Sequence, residues 1–289
     1  MIRFIFFVWA LCFFSVAARA WNDAGHMVVA QIAYERLEPA VRERVDELSK
    51  IGAEPENATF VTGACWPDDL KTVGIKTYND WHFLDIPFSS DGTRLPAARA
   101  KINVVWAMNQ CVFTLKKRAP DPRFPNVALR AVPDNEKARA LRFLTHLVGD
   151  AHQPMHCVSR FSKAHPKGDR GGNDFGLGKT NLHLFWDEGG GLFSTIELRP
   201  LSADSERAIR GLADKISKSN PPTAQARNLD FGQWAQQGFL LAQNIAYKTP
   251  ENRAPSAQYI QRVQKTSAER VALAGYRLAA LLNRIFENE

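Results

Sequence analysis

Twice in this chain an imidazole and a carboxylate stand four residues apart inside helical periodicity, at His146 and Asp150 and again at His183 and Asp187. In a helix that spacing projects both side chains from one face. Around the first pair, Ala140, Leu141, Leu144, Leu147 and Val148 make residues 136–153 a helix with an apolar flank. The same period recurs along the chain. Val28, Val29, Ile32, Ala33 and Leu37 mark one helix, and Pro39 opens a second with Val41, Val45 and Leu48 on one face. Ile102, Val105, Trp106, Met108 and Val112 place a helix over 99–117. Residues 204–217, 228–246 and 256–286 read as further helices, the last through Val263, Val271, Ala274, Leu278, Leu281 and Leu282. A helix start falls at 181–188, whereas 160–179 is broken by Lys, Gly, Asp and Arg and reads as a loop. Alternating strands are absent apart from a short hairpin near 82–95. The expected fold is mainly α, one multi-helix domain.

The first twenty residues stand apart from that domain. Arg3 precedes an apolar run from Phe4 to Phe14, and Ala18-Arg19-Ala20 is an A-x-A cleavage site. A membrane anchor would need about 20 apolar residues, so residues 1–20 are expected to be a signal peptide and 21–289 the mature domain. No other segment reads as long and apolar enough to cross a membrane. A secreted or periplasmic protein beginning at Trp21 follows. The net charge of +7 falls to +5 once Arg3 and Arg19 are gone, a basic balance that favours polyanions without choosing among them. Cys12 leaves with the leader, and Cys65, Cys111 and Cys157 remain, enough for one disulfide. Cys65 and Cys157 flank the polar constellation and are the pair considered for it. Asn57-Ala58-Thr59 is a glycosylation sequon.

A single His-x-x-x-Asp is ordinarily a surface ion pair. Two copies with apolar flanks, and His156 ten residues beyond His146, favour a metal site, because imidazole and carboxylate are donors that zinc accepts. Pro154 ends the first helix after Gln153, and the bend frees His156 to face a second ion.

Larger motifs surround these residues. Trp21-Asn22-Asp23-Ala24-Gly25-His26 stands at the expected mature terminus, and Gly149-Asp150-Ala151-His152-Gln153-Pro154-Met155-His156 follows the helix. Trp66-Pro67-Asp68, Trp81-His82-Phe83-Leu84-Asp85, Asp169-Arg170-Gly171-Gly172-Asn173, Asn181-Leu182-His183 with Trp186-Asp187, and Ala274-Gly275-Tyr276-Arg277-Leu278-Ala279 complete the set. Together they resemble the S1/P1 nucleases, exported zinc enzymes that cut single-stranded nucleic acid. The resemblance implies a phospholipase C/P1 nuclease-like fold with a small β-hairpin, and three zinc ions. One ion would be held by Asp68, His82, His146 and Asp150, and a second by His156, His183 and Asp187. The third would take His26, Asp150 as a bridge, and Trp21 through its freed α-amine and its carbonyl. These donors fall short of four per ion, and open positions mark catalytic zinc.

The implied reaction is hydrolysis of single-stranded DNA and RNA to 5′-phosphate products, extending to a 3′-nucleotidase activity, by an expected monomer acting on nucleotides and polynucleotides away from membranes. Asp68 would orient water and Lys71 would neutralise phosphate. Phe83 would stack a base and Asp85 would accept its hydrogen bonds. Stacking requires an unstacked base and so favours single strands. Arg160, Lys163, Lys167, Arg170 and Lys179 are candidates for tracking the backbone, while His152 reads as structural and His165 receives no role. Two rivals stand. A zinc phospholipase C shares the fold, but its second histidine lies farther from its N-terminal Trp, and Glu replaces the aspartate matching Asp187. A non-catalytic metal- or nucleic-acid-binding protein is argued against by the unfilled coordination positions.

Overall fold

The computed structural model describes residues 21–97, 100–116, 132–194 and 199–287. The expected signal peptide, with Arg3, Cys12 and Arg19, lies outside the described residues. Among the described residues, ten α-helices run in chain order: α1 (Asp23–Tyr34), α2 (Pro39–Lys50), α3 (Phe60–Gly63), α4 (Trp66–Thr72), α5 (Val104–Leu115), α6 (Asp134–Asp150), α7 (Leu182–Asp187), α8 (Ala203–Ser219), α9 (Phe231–Leu241) and α10 (Ala257–Phe286). Polar caps fix many of their starts. The side chains of Asn22, Asn103, Asn181, Ser202, Asp230 and Ser256 each accept a backbone N–H from the first turn of α1, α5, α7, α8, α9 and α10.

The core is built around α1, α6 and α10. α1 is buried continuously from Ala24 to Ala33, so its apolar residues serve neighbours on every side. It packs most extensively on α10 and next on α8, while α5 lies along α6. From Phe143 to Asp150, α6 is buried without a break, and its last turn delivers His146 and Asp150 into the interior. α9 continues into a π-turn, Ala242–Ala246, that covers the 154–157 turn behind the site.

The mainly helical class read from the sequence is the class observed. The strands differ in place. Ile86–Ser89 (β1) pairs in parallel with Val158–Phe161 (β2), with Ile86 opposite Val158, instead of turning back on itself. Asp91 explains the difference: its carboxylate accepts the backbone N–H of Thr93 at 3.1 Å and of Lys163 at 2.8 Å, so the turn after β1 is tied to the segment beyond β2. The small antiparallel hairpin lies instead at Gly176–Leu177 (β3) and Thr180–Asn181 (β4). α3 and α4 are new relative to the sequence reading, because four and seven residues are too few to show a period. Among the described residues no helix is long and apolar enough to cross a membrane.

The expected disulfide is absent. Cys65, Cys111 and Cys157 are all free and buried, each in its own packing environment. Cys111 lies in the core face of α5, and burial pushes its thiol up to about 12. Cys157 packs against Gly238, and Cys65 contacts the Asp23 carbonyl at 3.5 Å. The sequon is not an open surface loop either. Asn57 is buried, its amide donating to Asp69 and accepting from Arg199 at 2.6 Å.

Close approach of α1 and α10 depends on Gly275, where a Cβ would meet Ile32 Cγ2 at 2.5 Å and Val29 O at 3.0 Å. Gly275→Ala should destabilise the fold by about 1–3 kcal/mol in urea unfolding. Gly211→Ala, with open space beside it on α8, should instead gain about 0.5–1 kcal/mol. Equal midpoints for the two variants would contradict this account of the helix contact.

Candidate metal centre

Four segments converge on the inner end of α6. Trp66-Pro67 starts α4, Pro67 sitting in the first turn where its missing N–H costs nothing, and sends Asp68 inward. The chain then passes Asn79–Trp81 in a 3₁₀ turn and presents His82. After α6, Gln153 and Pro154 break the helix and a second 3₁₀ turn, Pro154–Cys157, carries His156. The Asn181 cap begins α7, whose single face bears His183 and Asp187. Asp68, His82, His146, Asp150, His156, His183 and Asp187 are all buried.

The side chains form two connected groups. In one, His146 Nε2 lies 3.0 Å from His82 Nδ1, 3.2 Å from Asp150 Oδ2 and 3.7 Å from Asp68 Oδ1. His26 stacks on His146 with ring centres 3.8 Å apart, and its Nε2 is 3.5 Å from Asp150 Oδ1. In the other, His183 Nε2 is 3.1 Å from His156 Nε2 and 3.6 Å from Asp187 Oδ2. Asp150 Oδ1 reaches within 4.0 Å of His156 and joins the groups. The triplets His26–Asp68–His146, His82–His146–Asp150 and His156–His183–Asp187 each bring three donor atoms within 4.8 Å of one another.

The chemistry of these donors fits a cation. His156 Nδ1 donates to His82 O and His183 Nδ1 donates to Gly171 O, both at 2.7 Å. Each imidazole therefore turns a lone pair, not a proton, toward the other across 3.1 Å. Two lone pairs at that distance repel unless a positive charge lies between them, and zinc–nitrogen bonds of about 2.0–2.1 Å in a tetrahedral site give a similar separation. Burial lowers the pKa of both rings, His183 to about 3, so a proton is a poor substitute. Both nitrogens of His26, Asp150 Oδ1 and Asp187 Oδ2 are buried without a hydrogen-bond partner. Such orphaned atoms are costly in an apolar interior and ordinary around a metal.

The carboxylates divide by surroundings. Burial opposes ionisation of Asp68 and Asp150, yet His146 and, for Asp68, Lys71 hold both below the usual carboxylate range. Burial pushes Asp187 well above that range, because its Oδ1 has only the Gln153 amide, 2.6 Å away, for direct support. Burial, then the neighbouring Lys71 charge, lowers His82 to about 4.

Trp21 is completely buried, its indole N–H donating to Gly149 O at 3.0 Å and its ring edge-on to Phe193. It therefore sits at the end of α6 beside Asp150. Gly149 makes the fit possible, since a Cβ there would lie 2.8 Å from His26 Nδ1. The next residue, Asn22, donates its backbone N–H to Asp187 O at 3.0 Å, tying the segment before α1 to α7.

A pocket of about 390 Å³ opens onto His82, His156 and His183. Phe83 and Asp85 form one wall, and Lys71, Lys76 and Arg170 supply positive charge. Lys71 Nζ is 2.7 Å from Asp68 Oδ1. Asp85 faces the opening, but the surrounding protein and the Asp169 and Asp80 charges push its pKa up to about 7. Of the loop cations read from the sequence, only Arg170 lines this pocket, and it pairs with Asp174 at 2.7 Å. Arg160 is turned away onto Glu251, which also takes His165. His152 is buried with Nδ1 donating to Val148 O, as its structural reading expected.

Two contributors escaped the sequence reading. Gln153 appeared there only as a helix end, although it holds Asp187. Arg199 bridges Asp23 at 2.9 Å and Asp69 at 2.7 Å, joining the residue beside Asp68 to the start of α1. No short spacing signals a contact across 176 residues. Gln153→Leu should weaken divalent-metal binding about 10–100-fold, as loss of a carboxylate's outer partner typically does. Competition with a chromophoric chelator measures this, and an unchanged affinity would remove Gln153 from the site.

The family model for S1/P1 Nuclease matches residues 21–287. Endonuclease 2 of Arabidopsis thaliana is 26% identical over 300 residues, covering 99% of this chain and 97% of the relative. Endonuclease 3 of the same plant is 26% identical, covering 93% and 90%. Nuclease S1 of Aspergillus oryzae is 25% identical over 293 residues, covering 92% and 91%. This chain belongs to the S1/P1 nuclease family, hydrolases that act on phosphodiester bonds, and it carries His/Asp groups able to hold metal.

Proposed function

We propose that the protein is an exported zinc-dependent nuclease that cleaves single-stranded DNA and RNA to 5′-phosphate products and also acts as a 3′-nucleotidase. The observation that carries the reading is the facing pair of imidazole lone pairs at His156 and His183, with orphaned carboxylate oxygens on either side, at the floor of a cationic pocket. Three zinc ions fit the donors: one at Asp68, His82, His146 and Asp150, one at His156, His183 and Asp187, and one at His26, Asp150 and the Trp21 amine and carbonyl. Bound there, they supply an acidified water, charge cancellation on phosphate oxygens and stabilisation of the leaving alkoxide.

The chain's own groups position the substrate around that chemistry. Asp68 stays ionised beside Lys71 and accepts a hydrogen bond from the attacking water. Lys71 faces the pocket and meets a non-bridging phosphate oxygen as a point charge. Phe83 offers a half-exposed ring on which a base stacks, and Asp85 accepts from that base's amino or imino group. A base inside a duplex cannot reach a wall set this close to the histidines, which supports the single-strand preference. The family match beginning at residue 21 supports cleavage after Ala20. The free amine so created is the donor that the third ion needs, and Trp21 already lies beside Asp150.

The deciding experiment is hydrolysis of single-stranded DNA and RNA by protein with a free Trp21 terminus. It is run after chelation and again after zinc is restored, with phosphatidylcholine as a control. Zinc-restored release of 5′-nucleotides without lipid cleavage supports the reading; lipid cleavage alone transfers the protein to the phospholipase branch. Asp150→Asn should lower both zinc stoichiometry and turnover more than any other single ligand change, and full metal content in that variant would refute its bridging role. Phe83→Ala should raise KM on short oligonucleotides about 10-fold, the scale of one lost base stack, and an unchanged KM would place the base elsewhere.

A further inference from the structure

Behind the metal centre, α10 carries Arg270 and Arg277, two turns apart and only 5% and 0% exposed. Both reach the back of the turn that links Asp150 to His156. Arg270 Nε donates to His152 O at 3.1 Å, and its Nη1 donates to Gln237 Oε1 at 3.3 Å. Arg277 Nε donates to Gln225 O at 3.2 Å. Its Nη1 donates to His152 Nε2 at 2.8 Å and to the same Gln237 Oε1 at 3.1 Å. His152 Nδ1 donates to Val148 O at 2.7 Å, so its Nε2 offers a lone pair to Arg277 and the ring is neutral. Every acceptor on the two guanidiniums is therefore uncharged.

What is missing from the protein is a negative charge. Among the described residues neither arginine forms an ion pair, and Glu269, the acid beside Arg270 in sequence, turns to Lys265 at 3.6 Å. Cys157 Sγ donates toward the Ala151 and Gln153 carbonyls, 3.6 Å from each, and so supplies no counter-charge. Each guanidinium keeps one nitrogen, Nη2, buried with no partner. Two like charges share one amide oxygen beside Trp234 and His152, both 0% exposed. Water can satisfy an N–H but cannot neutralise a buried pair of cations, and charges in such places are paired or displaced.

We propose that Arg270 and Arg277 form a buried binding site for a small monovalent anion of chloride size, in the seam between α9, α10 and the 151–156 turn. Charge-assisted bonds from the two Nη2 groups hold it. Burial of both side chains favours a singly charged, weakly hydrated ion such as chloride over a multivalent oxyanion, which would have to shed more of its hydration to enter. The anion completes the contact by which α10 braces the turn bearing Gln153 and His156.

The test uses the zinc-loaded mature protein at constant ionic strength, with gluconate exchanged for chloride. Chloride about a hundredfold above its dissociation constant should raise Tm by roughly 5–10 °C, saturably. Crystals grown in bromide should show an anomalous peak between the two Nη2 atoms. Arg270→Met should lose the halide-dependent rise; should that variant fail to fold, the bromide map and the wild-type titration decide alone. Equal Tm in gluconate and chloride overturns the proposal. A bromide peak without the Tm rise also overturns it, as an adventitious ion only, and so does a rise without a peak between the arginines.

Discussion

Lone pairs forced to face one another inside an apolar interior govern this structure. Backbone carbonyls do the forcing. Ala64, His82 and Gly171 each engage Nδ1 of a different histidine, respectively His146, His156 and His183, and leave the opposite nitrogen aimed inward. Those carbonyls lie in three separate loops. Any loop that drifted would turn its imidazole and dissolve the arrangement, so the irregular segments are as constrained as the helices.

Charge extends the constraint outward. Arg199 ties the start of α1 to α4 through Asp23 and Asp69, each one or two positions from residues that point into the cluster. On the opposite side, His146 and then Lys71 hold Asp68 ionised despite burial. Acidic groups that the interior would otherwise neutralise thus remain available as donors. The basic composition has a local meaning here, since part of the surplus of Lys and Arg is spent inside the protein.

Long helices were legible in the sequence because burial repeats with the helical period, as in Val263 through Leu282. The converging residues were legible from two sources: His-x-x-x-Asp spacing for those on α6 and α7, and resemblance for Trp21, His26, Asp68 and His82. Periodicity failed on α3 and α4, which are shorter than the window it needs. It also misplaced the hairpin, because pairing of β1 with β2 is decided by Asp91 and Lys163, 72 residues apart. Gln153, Arg199 and the Arg270–Arg277 pair carry no local signature, as their partners meet only after folding. The cysteines mislead for a different reason: sequence counts thiols, while packing decides whether two can touch.

The parallel pair β1–β2 starts at the histidines themselves. His156 Nδ1 donates to His82 O, and Leu84 N donates to His156 O at 2.8 Å, two residues before the ladder begins at Ile86 and Val158. The two strands therefore act as a ruler whose zero mark is the cluster. A slip of one residue, about 3.3 Å, would invert the faces of the whole segment and point Phe83 where His82 belongs. Evolution of this wall is accordingly restricted to exchange of side chains: insertions or deletions between 82 and 89 cannot be absorbed without unmaking the floor beneath it.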